Sequence, residues 1–310
     1  MTSMDYPKKI ILSYSIFIST LFMLLSCYAG KRTAAKEMVL SGKKHTASEA
    51  VLLEETNKLK EKKLDEEKID TSVNNKIQNK LNNYEKLLDS ANVAIAQIEQ
   101  LLSKKNTFRK NYKNVIIPLS VFLNNYNNNS SRRLYRYTMI KDGLSIADKK
   151  LYELAAFFGP GRYIIPDEKK EVAYLLFSPL VDSIKGFSNK YSDIQQTASL
   201  IINGFADATG VSPGSNLYNI LATALNKTSP EKAELNMQLS QFRANAIANC
   251  LDTLIQMKSH EFKSWSTFKI NSYEYGQGET LPTKTITDYT ENDERRRVVL
   301  IYWCVLPEDN

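Results

Sequence analysis

The sequence predicts an α+β chain: a helical bundle or coiled-coil segment, then a mixed sheet with packed helices in the order β-α-β-α-β-β. Three observations predict it. Apolar residues from Ile77 to Leu102 recur at alternating steps of four and three, the seam of a packed helix. Gly159-Pro160-Gly161 interrupts the helical pattern. Beyond that break, short apolar runs alternate with long amphipathic stretches, which suits one sheet covered by helices.

Composition narrows the function classes. The chain has 310 residues, with 43% hydrophobic and 24% charged, an ordinary globular balance. Two histidines, His45 and His260, exclude a histidine-rich metal site, and three cysteines exclude a disulfide scaffold or four-cysteine zinc site. A net charge of +7 is too diffuse to argue for nucleic acid, and none is expected as a partner. No nucleophile elbow, P-loop or zinc motif occurs, so the expectation is a non-enzymatic protein with no cofactor and no metal.

The first element is an address. Lys8 and Lys9 precede the apolar run from Ile10 to Leu25, which is shorter than the roughly 20 residues of a membrane span. Leu24-Leu25-Ser26-Cys27 resembles the bacterial lipobox, whose cysteine becomes the acylated first residue of the mature chain. The resemblance implies a signal peptide over 1–26, acylation (palmitate among the chains) at Cys27, and a linker over 27–45. Several acyl chains hold a membrane where one does not. The residues after Cys27 contain no acidic cluster of the kind that marks surface export, so the expected location faces the periplasm; nothing in the sequence selects strongly between the membranes, and the outer is favoured over the inner.

Residues 46–158 form the helical part. The seam runs Ile77, Leu81, Tyr84, Leu88, Ala91, Ile95, Ile98 and Leu102, widened by Leu87, Ala94 and Leu101. A continuous helix over 46–105 would reach about 90 Å; the alternative is a bundle folded back on itself. Asn124 to Arg133 reads as an exposed loop, and Arg136 to Phe158 as a helix.

Residues 159–310 form the sheet domain. Arg162 to Ile165 is the first strand candidate, and Asp167 the N-cap of a helix that Pro179 should kink or split. Ala198 to Asn203 reads as a buried strand, Lys232 to Lys258 as a helix, and Phe268 to Tyr275 as a strand. Arg297 to Val305 (RVVLIYWCV) reads as a strand buried on both faces. Cys250 and Cys304 could pair in an oxidising compartment, but two buried free thiols are expected.

Four pieces of this half resemble the OmpA-like peptidoglycan-binding domain found in peptidoglycan-associated lipoproteins. Gly204-Phe205-Ala206-Asp207 is similar to the family's G-H/Y/F-T/A-D, and Asn236 to Ala244 (NMQLSQFRA) to its N-x-x-L-S-x-x-R-A. Gly276 to Pro282 (GQGETLP) is similar to its G-x-G-E-x-x-P turn, and Arg296-Arg297-Val298 to the end of its N-R-R-V. The resemblance implies binding of the diaminopimelate stem peptide of peptidoglycan. Asp207 would take the ammonium and Arg243 the carboxylate, a pairing that suits a guanidinium fork. Phe205, Asn236 and Leu239 would shape the pocket wall. The chain departs from the pattern in a long insertion at about 211–234, which could lid or block the pocket. Such a protein would tether a membrane to the wall. The alternative is an envelope scaffold of a secretion or motility machine, with the OmpA-like domain serving assembly with partner proteins.

Overall fold

The computed structural model describes residues 6–153, 158, 161–282 and 288–308, with side chains from Tyr28 onward except that of residue 153. Cys27, the signal segment and Gly159-Pro160 therefore lie outside what is described at side-chain level. The architecture is α+β: helices α1 (Tyr6–Asp65), α2 (Thr71–Leu102), α3 (Lys105–Asn111), α4 (Ile117–Asn128) and α5 (Ser130–Ile146) precede a four-stranded sheet. The remainder is β1 (Lys149–Glu153), α6 (Lys170–Lys190), β2 (Gln196–Gly204), α7 (Asn216–Leu225), α8 (Lys232–Met257), β3 (Phe268–Gly276) and β4 (Val298–Pro307). The chain divides into two compact units, residues 1–54 with 80–135 and residues 55–79 with 136–310.

In the first unit α1 and α2 run antiparallel: Gly42 lies where a Cβ would meet the Ile95 side chain, and Lys43 pairs with Glu99 at 2.6 Å. A continuous helix over 46–105 does not form. The chain turns at 66–70, where Glu67 adopts φ +51° and the Asp70 carboxylate accepts from the Ser72 N–H at 2.7 Å, capping α2. The seam is spent inside the chain: Ile77, Leu81, Leu88, Ala91, Ile95, Ile98 and Leu102 are all buried and Tyr84 is half-buried. The loop expected over 124–133 is helical instead, with only Asn129 between α4 and α5. A buried polar cluster holds it so. Glu49 accepts from Arg133 at 2.7 Å and from the Tyr126 hydroxyl at 2.7 Å, and the Arg133 guanidinium lies 3.7 Å from the Tyr126 ring centre.

In the second unit the sheet order is β1-β4-β2-β3; β2 and β3 are parallel, while β4 is antiparallel to both β1 and β2. β4 is central and buried along nearly its whole length, as its composition demands. The first strand is not Arg162 to Ile165 but Lys149–Glu153, inside the stretch read as a helix. Five residues cannot declare a period, and pairing with β4 (Leu151 opposite Leu300) decides the conformation. α6 and α8 cover one face through Phe177, Ile184, Ile247, Leu251 and their neighbours. On the other face Lys76 of α2 donates to the Ser199 hydroxyl at 3.1 Å and sits over the Tyr273 ring.

Two local expectations fail. Asp167 opens a short 3-10 turn without capping it, and pairs with Lys170 at 2.7 Å. Pro179 lies inside an unbroken α6, because it and Leu175 face solvent, where water can satisfy the carbonyl that loses its partner. Cys250 and Cys304 are buried free thiols, as expected.

Candidate functional site

The site is built where α8 crosses the ends of β2 and β3. The helix lies on bare backbone: a Cβ on Gly204 would come within 2.3 Å of the Ser240 carbonyl, and one on Gly276 within 2.6 Å of the Met237 carbonyl. No side chain fits at either place, so these two motif glycines set the spacing between helix and sheet.

The other motif residues tie down the surrounding loops. The Ser240 hydroxyl accepts from the Gly278 N–H at 2.9 Å and donates to the Met237 carbonyl at 2.7 Å. Gln241 accepts from the Gly276 N–H at 2.8 Å. Asn236 donates to the Thr209 carbonyl at 3.1 Å and to Glu279 at 2.7 Å, joining the loop after β2 to the turn after β3. Gly278 has φ +55°, which favours glycine.

Asp207, Arg243 and Arg297 converge on one cavity of about 640 Å³. Arg243 is 1% exposed; it donates from Nε to the Arg162 carbonyl at 3.1 Å and from Nη1 to the Phe205 carbonyl at 3.3 Å. Burial lowers its pKa to about 10, against the opposing pull of Asp207, so it remains charged at neutral pH. Asp207 accepts from Arg297 Nε and, at 3.0 Å, from the Thr209 N–H. Burial pushes its carboxyl up, but the hydrogen bonds from Arg297 and Thr209 outweigh that and hold it below the usual 3.8. Arg162 also lines the cavity, and its backbone carbonyl is the acceptor that holds Arg243 Nε.

The insertion after Gly210 neither fills nor seals this cavity. It supplies a wall, from Val211, Ser212, Ser215, Asn216, Leu217 and Ile220. Its helix α7 is capped by Ser215, which accepts from the Tyr218 N–H at 3.1 Å, and ends at Asn226 with φ +53°.

Of the residues the sequence nominated, Asp207, Arg243 and Leu239 line the cavity. Phe205 does not: its side chain packs with Val298 and Leu300, and only its carbonyl serves the site, as an acceptor for Arg243. Asn236 is buried but works behind the wall, as the brace between two loops. Arg297 is the site residue the motif roles do not include, although it stands in Arg296-Arg297-Val298; its signal is its place one residue before a strand buried along nearly its whole length. The Arg162 segment, read as a strand, is an irregular wall of the cavity.

No family model and no curated protein sequence matches the chain. Among solved structures, a MotB-like protein from Desulfovibrio vulgaris aligns with 52% of this chain and 74% of its own, at 14% identity and a TM-score of 0.29. At that score the likeness carries no weight in the functional reading.

Proposed function

We propose that this chain is a lipid-anchored, non-enzymatic peptidoglycan-binding protein of the cell envelope. Its cavity grips the diaminopimelate end of a stem peptide. The observation that carries the reading is the meeting of Asp207 and Arg243 in one cavity, with donor and acceptor capacity to spare. A carboxylate offers about four lone-pair sites, and Asp207 uses one on Arg297 and one on Thr209, leaving room for an ammonium. A guanidinium has five N–H donors, and Arg243 spends two on carbonyls, leaving others for a carboxylate. Arg297, paired with Asp207, holds that carboxylate ionised at the cavity wall.

The lipobox-like Leu24 to Cys27 supports an acyl anchor at Cys27, which we place on the periplasmic side of the outer membrane. Anchor and cavity together make a tether between membrane and wall, without a cofactor.

The test is co-sedimentation of the full-length protein, in detergent, with purified sacculi of the diaminopimelate type. The wild type should pellet with the sacculi, and the Asp207→Ala/Arg243→Ala variant, folded by circular dichroism, should stay in solution. A folded wild type that fails to pellet would refute the wall-binding reading.

A further inference from the structure

A second cavity, of about 510 Å³, lies against the first and shares Tyr163, Ile164 and Ile220 with it. We propose that it receives the amino sugar to which the stem peptide is attached, so that one muropeptide occupies both cavities. This rests on the wall-binding reading above.

The lining differs in kind from that of the first cavity. Its floor is aromatic and apolar, with Tyr163 and Phe242 tilted at 48° and their ring centres 5.0 Å apart. Its rim is a row of neutral polar side chains, Asn245, Asn249 and Thr253, exposed on one face of α8 at steps of four. Among the described lining residues Lys170 alone is charged, and it forms an exposed pair with Asp167 at 2.7 Å. The Thr253 hydroxyl donates to the Asn249 backbone carbonyl at 2.8 Å, and Asn245 accepts from Gln241 at 2.9 Å. The rim therefore offers the Thr253 oxygen as an acceptor, the Asn245 Nδ2 as a donor and the Asn249 amide; with ring faces beneath, this suits the C–H surface, hydroxyls and acetamido group of a neutral polyol ring.

The reach agrees. Along α8 the axis rises about 9 Å from Arg243 to Asn249 and about 15 Å from Arg243 to Thr253. Diaminopimelate is the third residue of the stem, and three extended residues span about 10 Å. Asn249 lies within that reach of Arg243 along the helix axis, and the two cavities meet at Tyr163, Ile164 and Ile220. Ile220 of the insertion walls both cavities, which gives α7 a role in joining them.

The experiment is calorimetry on the full-length protein in detergent with two probes: a disaccharide-tripeptide, and the same diaminopimelate tripeptide without sugar. The sugar-bearing probe should bind roughly tenfold more tightly. Asn249→Ala with Thr253→Val, both exposed, should cut that gain below about threefold and leave the sugarless peptide's affinity in place. Equal affinity of the two probes, or a gain untouched by the double variant, would overturn this inference alone. Failure of both probes to bind the wild type would overturn it together with the wall-binding reading.

Discussion

Each unit of the molecule buries a carboxylate with a guanidinium, and the two clusters serve different ends. In the helical unit Glu49 is 1% exposed and takes donors from Arg133 and the Tyr126 hydroxyl, while Arg133 stacks on the Tyr126 ring. Every strong partner there comes from the protein itself. In the sheet unit Asp207 and Arg243 spend only part of their capacity on the protein and face a cavity. A closed cluster fixes a packing arrangement; an open one keeps charge available for a ligand. Burial alone does not distinguish a site from a staple, whereas a cavity lined by the buried pair does.

The sharpest way to break the comparison is Glu49→Ala. Removing one partner of a buried ion pair leaves the other uncompensated, so a loss of about 3–5 kcal/mol is expected by denaturant unfolding. Binding to sacculi by the remaining folded protein should persist. If the stability is unchanged, the helical cluster is not the staple described.

Next comes Arg243→Ala. A charged hydrogen bond shielded from water contributes about 1.5–3 kcal/mol, so affinity for a diaminopimelate peptide should fall about tenfold to a hundredfold by titration calorimetry. An unchanged Kd would remove Arg243 from the site.

The two clusters should also fail at opposite ends of the pH scale. Asp207 has a lowered pKa in the folded state, so its contribution is present above its ordinary 3.8 and is lost as pH falls below that. The Tyr126 phenol is raised above 10.0, first by burial and then by its bond to Glu49, so its contribution is present below pH 10 and is lost as pH rises further. Comparison of unfolding free energy against pH should show the acid loss diminished in Asp207→Asn and the alkaline loss diminished in Tyr126→Phe. Curves parallel to the wild type would sink the assignment.

The smallest effect belongs to an exposed counterpart. Asp182 bonds Lys258 at 2.8 Å and Lys185 at 2.9 Å, and those bonds lower its pKa to about 2. Its side chain is 45% exposed, so water screens the pairs and Asp182→Ala should cost less than about 1 kcal/mol. A larger loss would show that burial was the wrong criterion for ranking the three carboxylates.

Legibility in the sequence followed how local the decisive interactions are. β2, β3, β4 and α8 were readable because long apolar runs and helical spacing declare their own period. The glycine and Asn-Leu-Ser-Arg pieces pointed to Asp207 and Arg243. β1 was not readable, because five residues take their conformation from β4, far along the chain. The helix over 124–133 was hidden for a similar reason: its asparagine-rich stretch looks like a loop until Glu49 is seen to gather Tyr126 and Arg133. The turn at 66–70 did have a local signal, the Asp70-Thr71-Ser72 cap. Arg297 needed the structure, since only the fold brings it to Asp207.

The contact of α8 with bare backbone at Gly204 and Gly276 has a consequence for engineering. The helix behaves as a rail bolted to the sheet, and the insertion as a panel pinned to it by Leu221 of α7, which is buried with Leu235 and Leu239 of α8. Replacement of the panel should alter what the cavities admit without shifting the rail, whereas a single methyl at either glycine would displace Arg243 and the three polar side chains of the α8 rim together. A library aimed at new ligands belongs in residues 211–220, with both glycines and Leu221 held fixed.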